Sequence, residues 1–312
     1  MKQILGTMTF GDQVDQSAAE ILISTFRSAG NLELDTAHIY CEGRTEEMLG
    51  RILTSEDRGS LYIASKVNPW NDGGLQATEV HRQFAEILER LGSDSIDLLY
   101  LHSPDLDTPI AQTLKACFEL FEQGKFRHFG LSNFAAWQVA EVVELCRRHG
   151  WMEPEVYQGM YNALTRDVER ELFPCLRNYG MRFYAYNPLA GGLLTGKHLS
   201  MQEIPEEGRF NRERGYLDRY WKQDYFAVLQ ELQAACTASE IKPVEVAMSW
   251  LNNHSLLDAS LGDGIILGAS SLTHLEQNMT ACTHPPLTQS ILEILDHGWE
   301  IIKPNCFRYF RP

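Results

Sequence analysis

Eight short apolar runs recur along the chain, each followed by a longer segment whose apolar residues return with a helical period. The runs are Gln3–Met8, Leu32–Thr36, Leu61–Val67, Ile96–His102, Phe126–Ser132, Val156–Tyr161, Arg182–Asn187 and Gly264–Ala269. Each is compact and lacks clean alternation, as expected of strands in a parallel sheet buried on both faces. Between them, Val80, Phe84, Ile87, Leu88 and Leu91 mark one face of a helix, and Ile110, Leu114, Cys117, Phe118 and Phe121 repeat the spacing. Ser17-x-x-Glu20 reads as a capping box opening the first helix. Gly30, Gly92, Gly124, Gly150 and Gly180 each stand just past a helical run, where C-terminal caps belong.

Eight strands alternating with helices allow a closed barrel or an open doubly wound sheet. Gly6-Thr7-Met8-Thr9-Phe10-Gly11 lacks the GxGxxG spacing that opens a dinucleotide-binding open sheet. Polar residues instead collect at the C-terminal ends of many strands, where a barrel carries its active site. The expected class is therefore α/β, a (β/α)8 TIM barrel with its active site at those ends. The 312 residues form one domain on this reading, since such barrels run to ~250 residues or more. The stretch from His198 to Lys222, with Pro205, Gly208 and Gly215, reads as a long surface loop between strands seven and eight.

The balance of charge narrows the function. Forty-two acidic residues against 27 basic ones give a net charge of -15, which repels nucleic acid and anionic lipid. No run approaches the ~20 apolar residues that cross a membrane. The seven cysteines are scattered without a CxxC pair, so reduced thiols and no metal cluster are expected. A cytoplasmic enzyme acting on a small molecule fits. His38, His81, His254 and His297 have no ligand spacing and read as solvated.

Read in order, the strand ends give Asp35-Thr36, Lys66, His102, Ser132-Asn133, Gln158, Asn187-Pro188 and Gly268-Ala269-Ser270-Ser271, with Tyr40 on the loop leaving strand two. In a closed barrel these form one ring. A Lys ending an apolar strand must be paired, and Asp35 is the obvious partner. A Tyr beside that ammonium would have its pKa lowered and could donate a proton near neutrality. His102 could orient a carbonyl oxygen. Met8 and Trp70, with Phe210, are candidates to line a substrate pocket. A hydrolase using paired carboxylates such as Asp35 and Asp105 is a second possibility, though it leaves the serines and amides without a task.

Asp35-Thr36-Ala37-x-x-Tyr40, Lys66, His102, Ser132-Asn133-Phe134 and Tyr186-Asn187-Pro188-Leu189 resemble the signature blocks of the aldo-keto reductase superfamily, in order, from Gly6 to Phe307. Asn187 to Lys197, Gly208-Arg209-Phe210, Ser270-Ser271-Leu272-x-x-Leu275-Glu276-Gln277-Asn278 and Pro304-Asn305-Cys306-Phe307-Arg308 are similar to the aflatoxin-aldehyde reductase / succinic semialdehyde reductase branch. The resemblance implies Tyr40 as proton donor, supported by Asp35, Lys66 and His102, in NADPH-dependent reduction of an aldehyde or ketone. It implies that Ser132, Asn133 and Gln158 hold the nicotinamide carboxamide and that Tyr186 stacks on the ring. Asn187, Leu189, Gly191 and Lys197 would wrap the pyrophosphate, and Gly268, Ser270, Ser271, Gln277 and Asn278 the adenosine end.

Lys197 and Arg209 offer cations for the extra phosphate of NADPH (NADP+), although Leu272 stands where many members carry Lys or Arg. The branch also implies a homodimer and no metal. Arg209, Arg212, Arg214, Arg219 and Lys222 crowd one segment. Of these, Arg219, with Arg308, resembles the branch's pair of arginines at the mouth, which would clamp a carboxylate-bearing substrate. A non-catalytic nicotinamide-binding subunit of the channel β-subunit type shares the fold and is an open alternative.

Overall fold

The computed structural model describes residues 1–206, 208–212 and 214–311; the side chains of Arg212 and Arg214, two of the clustered basic residues, lie outside the described residues. The strands are β1 (Lys2–Gly6), β2 (Glu33–Asp35), β3 (Tyr62–Val67), β4 (Ile96–Leu101), β5 (Phe126–Ser132), β6 (Val156–Met160), β7 (Arg182–Tyr186) and β8 (Gly264–Gly268). They close in chain order, every neighbouring pair parallel and β8 returning to β1. The helices are α1 (Gln16–Ser28), α2 (Arg44–Ile52), α3 (Ser55–Ser60), α4 (Ala77–Leu91), α5 (Ile110–Glu122), α6 (Ala136–His149), α7 (Leu172–Asn178), α8 (Arg209–Arg212), α9 (Arg214–Tyr220), α10 (Gln223–Ala238), α11 (Pro243–Asn253), α12 (Leu272–Ala281) and α13 (Gln289–Ile302). No helix among the described residues is long and apolar enough to cross a membrane.

The strands fall where the apolar runs place them, with three informative differences elsewhere. β1 stops two residues early, because Thr7 turns the chain: its backbone N and its Oγ1 both donate to the Asp35 carbonyl, at 3.0 and 2.9 Å. Asp15, not Ser17, caps α1, accepting from Ala18 N at 2.9 Å, so a single side-chain cap two residues earlier replaces the expected capping box. The five glycines expected at helix ends do take positive φ, from +59° to +84°.

The third difference is the segment from His198 to Lys222. It carries α8 and α9, and it is packed rather than free: Phe210, Tyr216 and Tyr220 are buried. Phe210 is buried and packs against Trp221 at a tilt, with centroids 4.9 Å apart, within the core of this segment.

Two apolar cores result. The larger lies between the barrel and its helices. The smaller fills the barrel interior with Ile4, Ala64, Leu98, Tyr100, Val156, Tyr184 and Ile266. Because side chains alternate along a strand, the next inward position above Ala64 is Lys66, and above Tyr184 it is Tyr186. Lys66 pairs with Tyr100 across β3 and β4, and Tyr100 with Gly130 on β5. A Cβ at Gly130 would come within 2.5 Å of the Tyr100 ring, so the missing side chain makes room for that tyrosine beneath the polar rim.

On the outside, α2 lies against α4 so closely that a Cβ at Gly50 would be driven into the Arg90 carbonyl. That carbonyl belongs to backbone and cannot rotate away. Gly50→Ala should therefore force the two helices apart and destabilise the fold by ~1–3 kcal/mol. Urea unfolding followed by far-UV circular dichroism would read this, and an unchanged midpoint would refute the close approach.

Candidate active site

At the C-terminal mouth of the barrel, Lys66 has no exposed surface. Its Nζ donates to Asp35 Oδ1 and to the Thr36 carbonyl, both at 2.6 Å. The second Asp35 oxygen is taken by Gln158 Nε2 at 2.7 Å. Gln158 therefore ties the expected cofactor set to the ion pair, a link at which its position along the chain does not hint. The rings of Tyr40 and Tyr100 lie 5.1 and 5.6 Å from Nζ on centroid distance.

Tyr40 and His102 meet edge to face with centroids 5.9 Å apart, and Trp70 covers His102 at 5.0 Å. Asp35, Tyr40, Lys66 and His102, which sequence reasoning grouped, are thus brought together. Their electrostatics differ from expectation at Tyr40. Part of Tyr40 is open at the mouth, but burial, followed by the Asp35 charge, pushes its hydroxyl well above the usual tyrosine range. The expected lowering by Lys66 fails because that ammonium is already committed to Asp35. Burial lowers the Lys66 pKa in turn, opposed by Asp35. His102 is pushed well below its ordinary value by burial, then by Lys66 and Arg311, so it is a neutral imidazole at physiological pH.

The expected cofactor residues form a continuous arc. Asn133 donates to the His102 carbonyl at 2.8 Å and to Ser132 Oγ at 3.0 Å, and its Oδ1 accepts from the Tyr186 hydroxyl at 2.7 Å. Asn187 Oδ1 accepts from Tyr216 at 3.1 Å, while its buried Nδ2 has no partner, leaving a donor aimed at nothing in the protein. Beyond Leu189, the turn Ala190–Thr195 contains Ala190, Gly191 and Gly192 at φ +50°, +70° and +112°. Tyr216 packs on Gly191, where a Cβ would meet its ring at 2.8 Å. Backbone of this type turns N–H groups together and suits an anion.

Further round, Ser271 caps α12, accepting from His274 N at 3.2 Å, and Ser270 pairs with His274 Nδ1 at 3.1 Å. Burial and then Lys197 lower the His274 pKa, and Lys197 itself is exposed. Asn278 is tied back to the Gly268 carbonyl at 3.1 Å, and Gln277 is exposed. Arg209 stacks over Tyr216 at 5.0 Å, on the ring that also packs against Gly191. Met8 is half-buried beside Cys41, whose Sγ lies 3.6 Å from the Met8 carbonyl.

One expected substrate residue is misplaced. Arg308 is exposed on the outer surface beside Asp167, Arg170 and Glu171. Arg311 takes the mouth instead, with its guanidinium 4.7 Å from the Trp70 ring and its backbone N donating to the Asn133 carbonyl at 3.0 Å. Tyr309 pins the tail between them, its hydroxyl donating to Glu171 at 2.6 Å and accepting from Ala136 N at 3.0 Å. Arg219 lies 5.1 Å from the Phe307 ring and 5.2 Å from that of Tyr216, and the charges of Arg219 and Arg311 both act on Tyr186. The chain end repeats itself as Phe307-Arg308-Tyr309-Phe310-Arg311, and only the fold decides which arginine faces in. Asp105, the partner needed by a hydrolase, is occupied by the backbone N–H groups of Leu75 and Asp107 at 2.7 and 3.0 Å.

A second polar layer stands behind the ion pair. Glu46 is wholly buried and accepts from Ser65 Oγ at 2.6 Å, one residue before Lys66; Arg90 faces it at 3.4 Å. His38 is buried too, bonded to Glu86 at 2.7 Å and beside Asn68 at 3.3 Å, not solvated as its isolated position in the sequence implied. Burial lowers its pKa, opposed by the Glu86 hydrogen bond. Burial raises Glu46 to about 7, opposed by Ser65 and Arg90.

Comparison with known proteins is consistent with this geometry over the whole chain. The family model described as Aldo/keto reductase family matches residues 2–300. The chain is 43% identical to the aflatoxin B1 aldehyde reductase member 2 of Mus musculus, over 99% of this chain and 87% of that protein. It is 42% identical to the aflatoxin B1 aldehyde reductase member 4 of Homo sapiens, over 98% of this chain and 96% of that protein. It is 34% identical to the aldo-keto reductase pigE of Monascus ruber, over 93% and 89%.

The buried Glu46 sets a pH signature. In the folded chain it keeps its proton up to about 7, whereas unfolded it releases it near its ordinary 4.5. Between these values the folded state binds more protons, so this group's contribution to stability falls as pH rises. Glu46→Gln removes that slope. Its unfolding free energy relative to the wild type should improve steadily from pH 4.5 to pH 7, measured by urea titration. A difference that does not vary with pH would show that Glu46 ionises normally.

Proposed function

Because the chain belongs to the aldo/keto reductase family, a family of oxidoreductases, we propose that it reduces aldehydes to alcohols with NADPH as hydride donor and Tyr40 as proton donor. The observation that carries the reading is the meeting of Tyr40, His102 and the Lys66–Asp35 pair at one end of the barrel. The arc from Ser132 through Asn187 to Ser271 fits a dinucleotide, with a partnerless amide at Asn187, a curled backbone at Gly191 and a helix N-terminus at α12 for phosphate oxygens. Lys197, exposed two residues after the Ala190–Thr195 turn, offers a cation to the extra phosphate and supports NADPH over NADH. Bound there, a reduced nicotinamide would supply the hydride.

The protein's part is to bind the carbonyl and move one proton. The Tyr40 hydroxyl, held protonated by burial, donates a hydrogen bond to the carbonyl oxygen and then gives up its proton to it. Neutral His102 holds the same oxygen from the side, and being uncharged it does not compete for the proton. Lys66, paired with Asp35 and with its Nζ 5.1 Å from the Tyr40 ring, faces the tyrosinate left behind. Trp70 closes the mouth over His102 and limits water. The reading extends to a cytoplasmic homodimer, as the branch resemblance implies.

Tyr40→Phe removes the proton and little else. Turnover of NADPH with an aldehyde should fall by ~10²–10⁴-fold while NADPH still quenches tryptophan emission. Retention of most activity would remove the donor assignment, and absence of NADPH turnover in the wild type would favour a binding subunit.

The substrate class follows from the rim. We put a carboxylate between Arg219 and Arg311, instead of the expected Arg219 and Arg308, because Arg311 lies 4.7 Å from the Trp70 ring and Arg219 5.2 Å from that of Tyr216, while Arg308 is exposed beside Glu171. A charged hydrogen bond there is worth ~1.5–3 kcal/mol before desolvation costs. Succinic semialdehyde should therefore exceed butanal in kcat/KM. Arg311→Ala should lose most of that preference and Arg308→Ala none of it. If Arg308→Ala abolishes the preference instead, the tail seats Arg308 rather than Arg311 at the mouth.

A further inference from the structure

The segment that carries Tyr40 turns sharply at the mouth. Cys41, Glu42 and Gly43 follow it with φ of +49°, +59° and +93°, three successive residues in the left-handed region. Two of the three are not glycine, and such a run persists only where its surroundings over-determine it. Its backbone bonds include Tyr40 N to the Ala37 carbonyl at 3.0 Å, Glu42 N to the Ile39 carbonyl at 3.1 Å, and Arg44 N to the Cys41 carbonyl.

One side chain from outside grips both flanks. Arg90, in the last turn of α4, donates from Nη1 to the His38 carbonyl at 3.0 Å. Its guanidinium also packs against Gly43, where a Cβ would lie within 2.5 Å of Cζ. Two acidic side chains flank the guanidinium in that place, Glu46 and Glu86, each with an oxygen at 3.4 Å. His38, the residue gripped, is itself fixed by its backbone N to the Lys66 carbonyl at 3.1 Å and by its ring to Glu86.

We propose that Arg90 is a positioning residue for the proton donor: by holding His38 and Gly43, two residues before and three after Tyr40, it sets where the Tyr40 hydroxyl stands relative to the carbonyl. This rests on Tyr40 being the donor. A planar guanidinium serves because it can donate in one direction while presenting a face to the backbone in another. An ammonium offers a point charge and no face. The small residue at Gly43 is required on the same account, since any side chain there would displace the guanidinium.

The test uses the full chain with NADPH and succinic semialdehyde, and the variants Arg90→Met, Arg90→Lys, Gly43→Ala and Tyr40→Phe. A misplaced donor slows the proton step and leaves the cofactor site alone. Arg90→Met should lower kcat by about 10- to 100-fold, with NADPH affinity held. Its solvent deuterium isotope effect on kcat should rise above that of the wild type. Arg90→Lys should recover only part of the rate. Where Arg90→Met is not recovered folded, Gly43→Ala reads the same displacement from the other side.

A purely structural role would lower the folded fraction and leave the isotope effect where it was. That result, or wild-type kcat in a folded Arg90→Met or Gly43→Ala, overturns the proposal. Wild-type turnover by Tyr40→Phe would instead dismiss the donor assignment, and the clamp with it.

Discussion

An ammonium sealed from water persists only against a counter-charge, and the upper barrel is arranged around meeting that demand for Lys66. A lone buried charge costs several kcal/mol even after relaxation. Here the cost is offset by Asp35 and the Thr36 carbonyl on one side and by two aromatic faces on the other. Gln158 saturates the remaining Asp35 oxygen, and Thr7 holds the Asp35 carbonyl. Five strands thus contribute to one neutralised pair: β2, β3, β4 and β6 directly, and β1 through the turn that follows it. Remove the pair and none of these contacts has a reason to converge.

The same arrangement governs the charges at the mouth. Burial, then the charges of Lys66 and Arg311, all act against a proton on His102, so its ring stays neutral. Tyr40 stays protonated because burial, and then the Asp35 charge, oppose its ionisation. A carbonyl oxygen arriving there would find neutral donors within a positively charged rim, a field that favours negative charge developing on that oxygen. Burial and pairing together set this balance, and neither alone would give it.

The barrel was legible because eight runs of the right length and period leave few alternatives, and a side-chain period of two fixes which residue crowns each strand. Asp35, Lys66, His102, Ser132 and Gln158 could be placed on one rim for that reason. What escaped depended on choices between near-equivalents. Asp15 and Ser17 can both cap a helix, and only the backbone selects Asp15. The tail offers Phe-Arg twice, and the Tyr309 pin decides which arginine turns inward. Helices as short as Arg209–Arg212 and Arg214–Tyr220 are too brief to show a period. The direction of the Tyr40 shift depended on how Asp35 and Lys66 divide their charge, which no spacing records. The layer of Glu46, Arg90 and His38 is assembled from α2, α4 and a loop, and each residue looks ordinary in its own stretch.

Among the described residues, the non-glycine positions with left-handed backbone are Cys41, Glu42, Asn133, Asn187, Ala190 and Glu240, and all but Glu240 lie on the loops leaving strands at the mouth. At such a place the dihedral acts as a filter on drift. Glycine, asparagine and aspartate pass it at little cost, whereas valine, isoleucine and threonine are turned away whatever their chemistry. Asn133 and Asn187 therefore have two independent reasons to persist, one in the contacts of the amide and one in the bend of the chain. Recurrence of asparagine at these positions in a set of related sequences would not, taken alone, reveal which of the two had been selected.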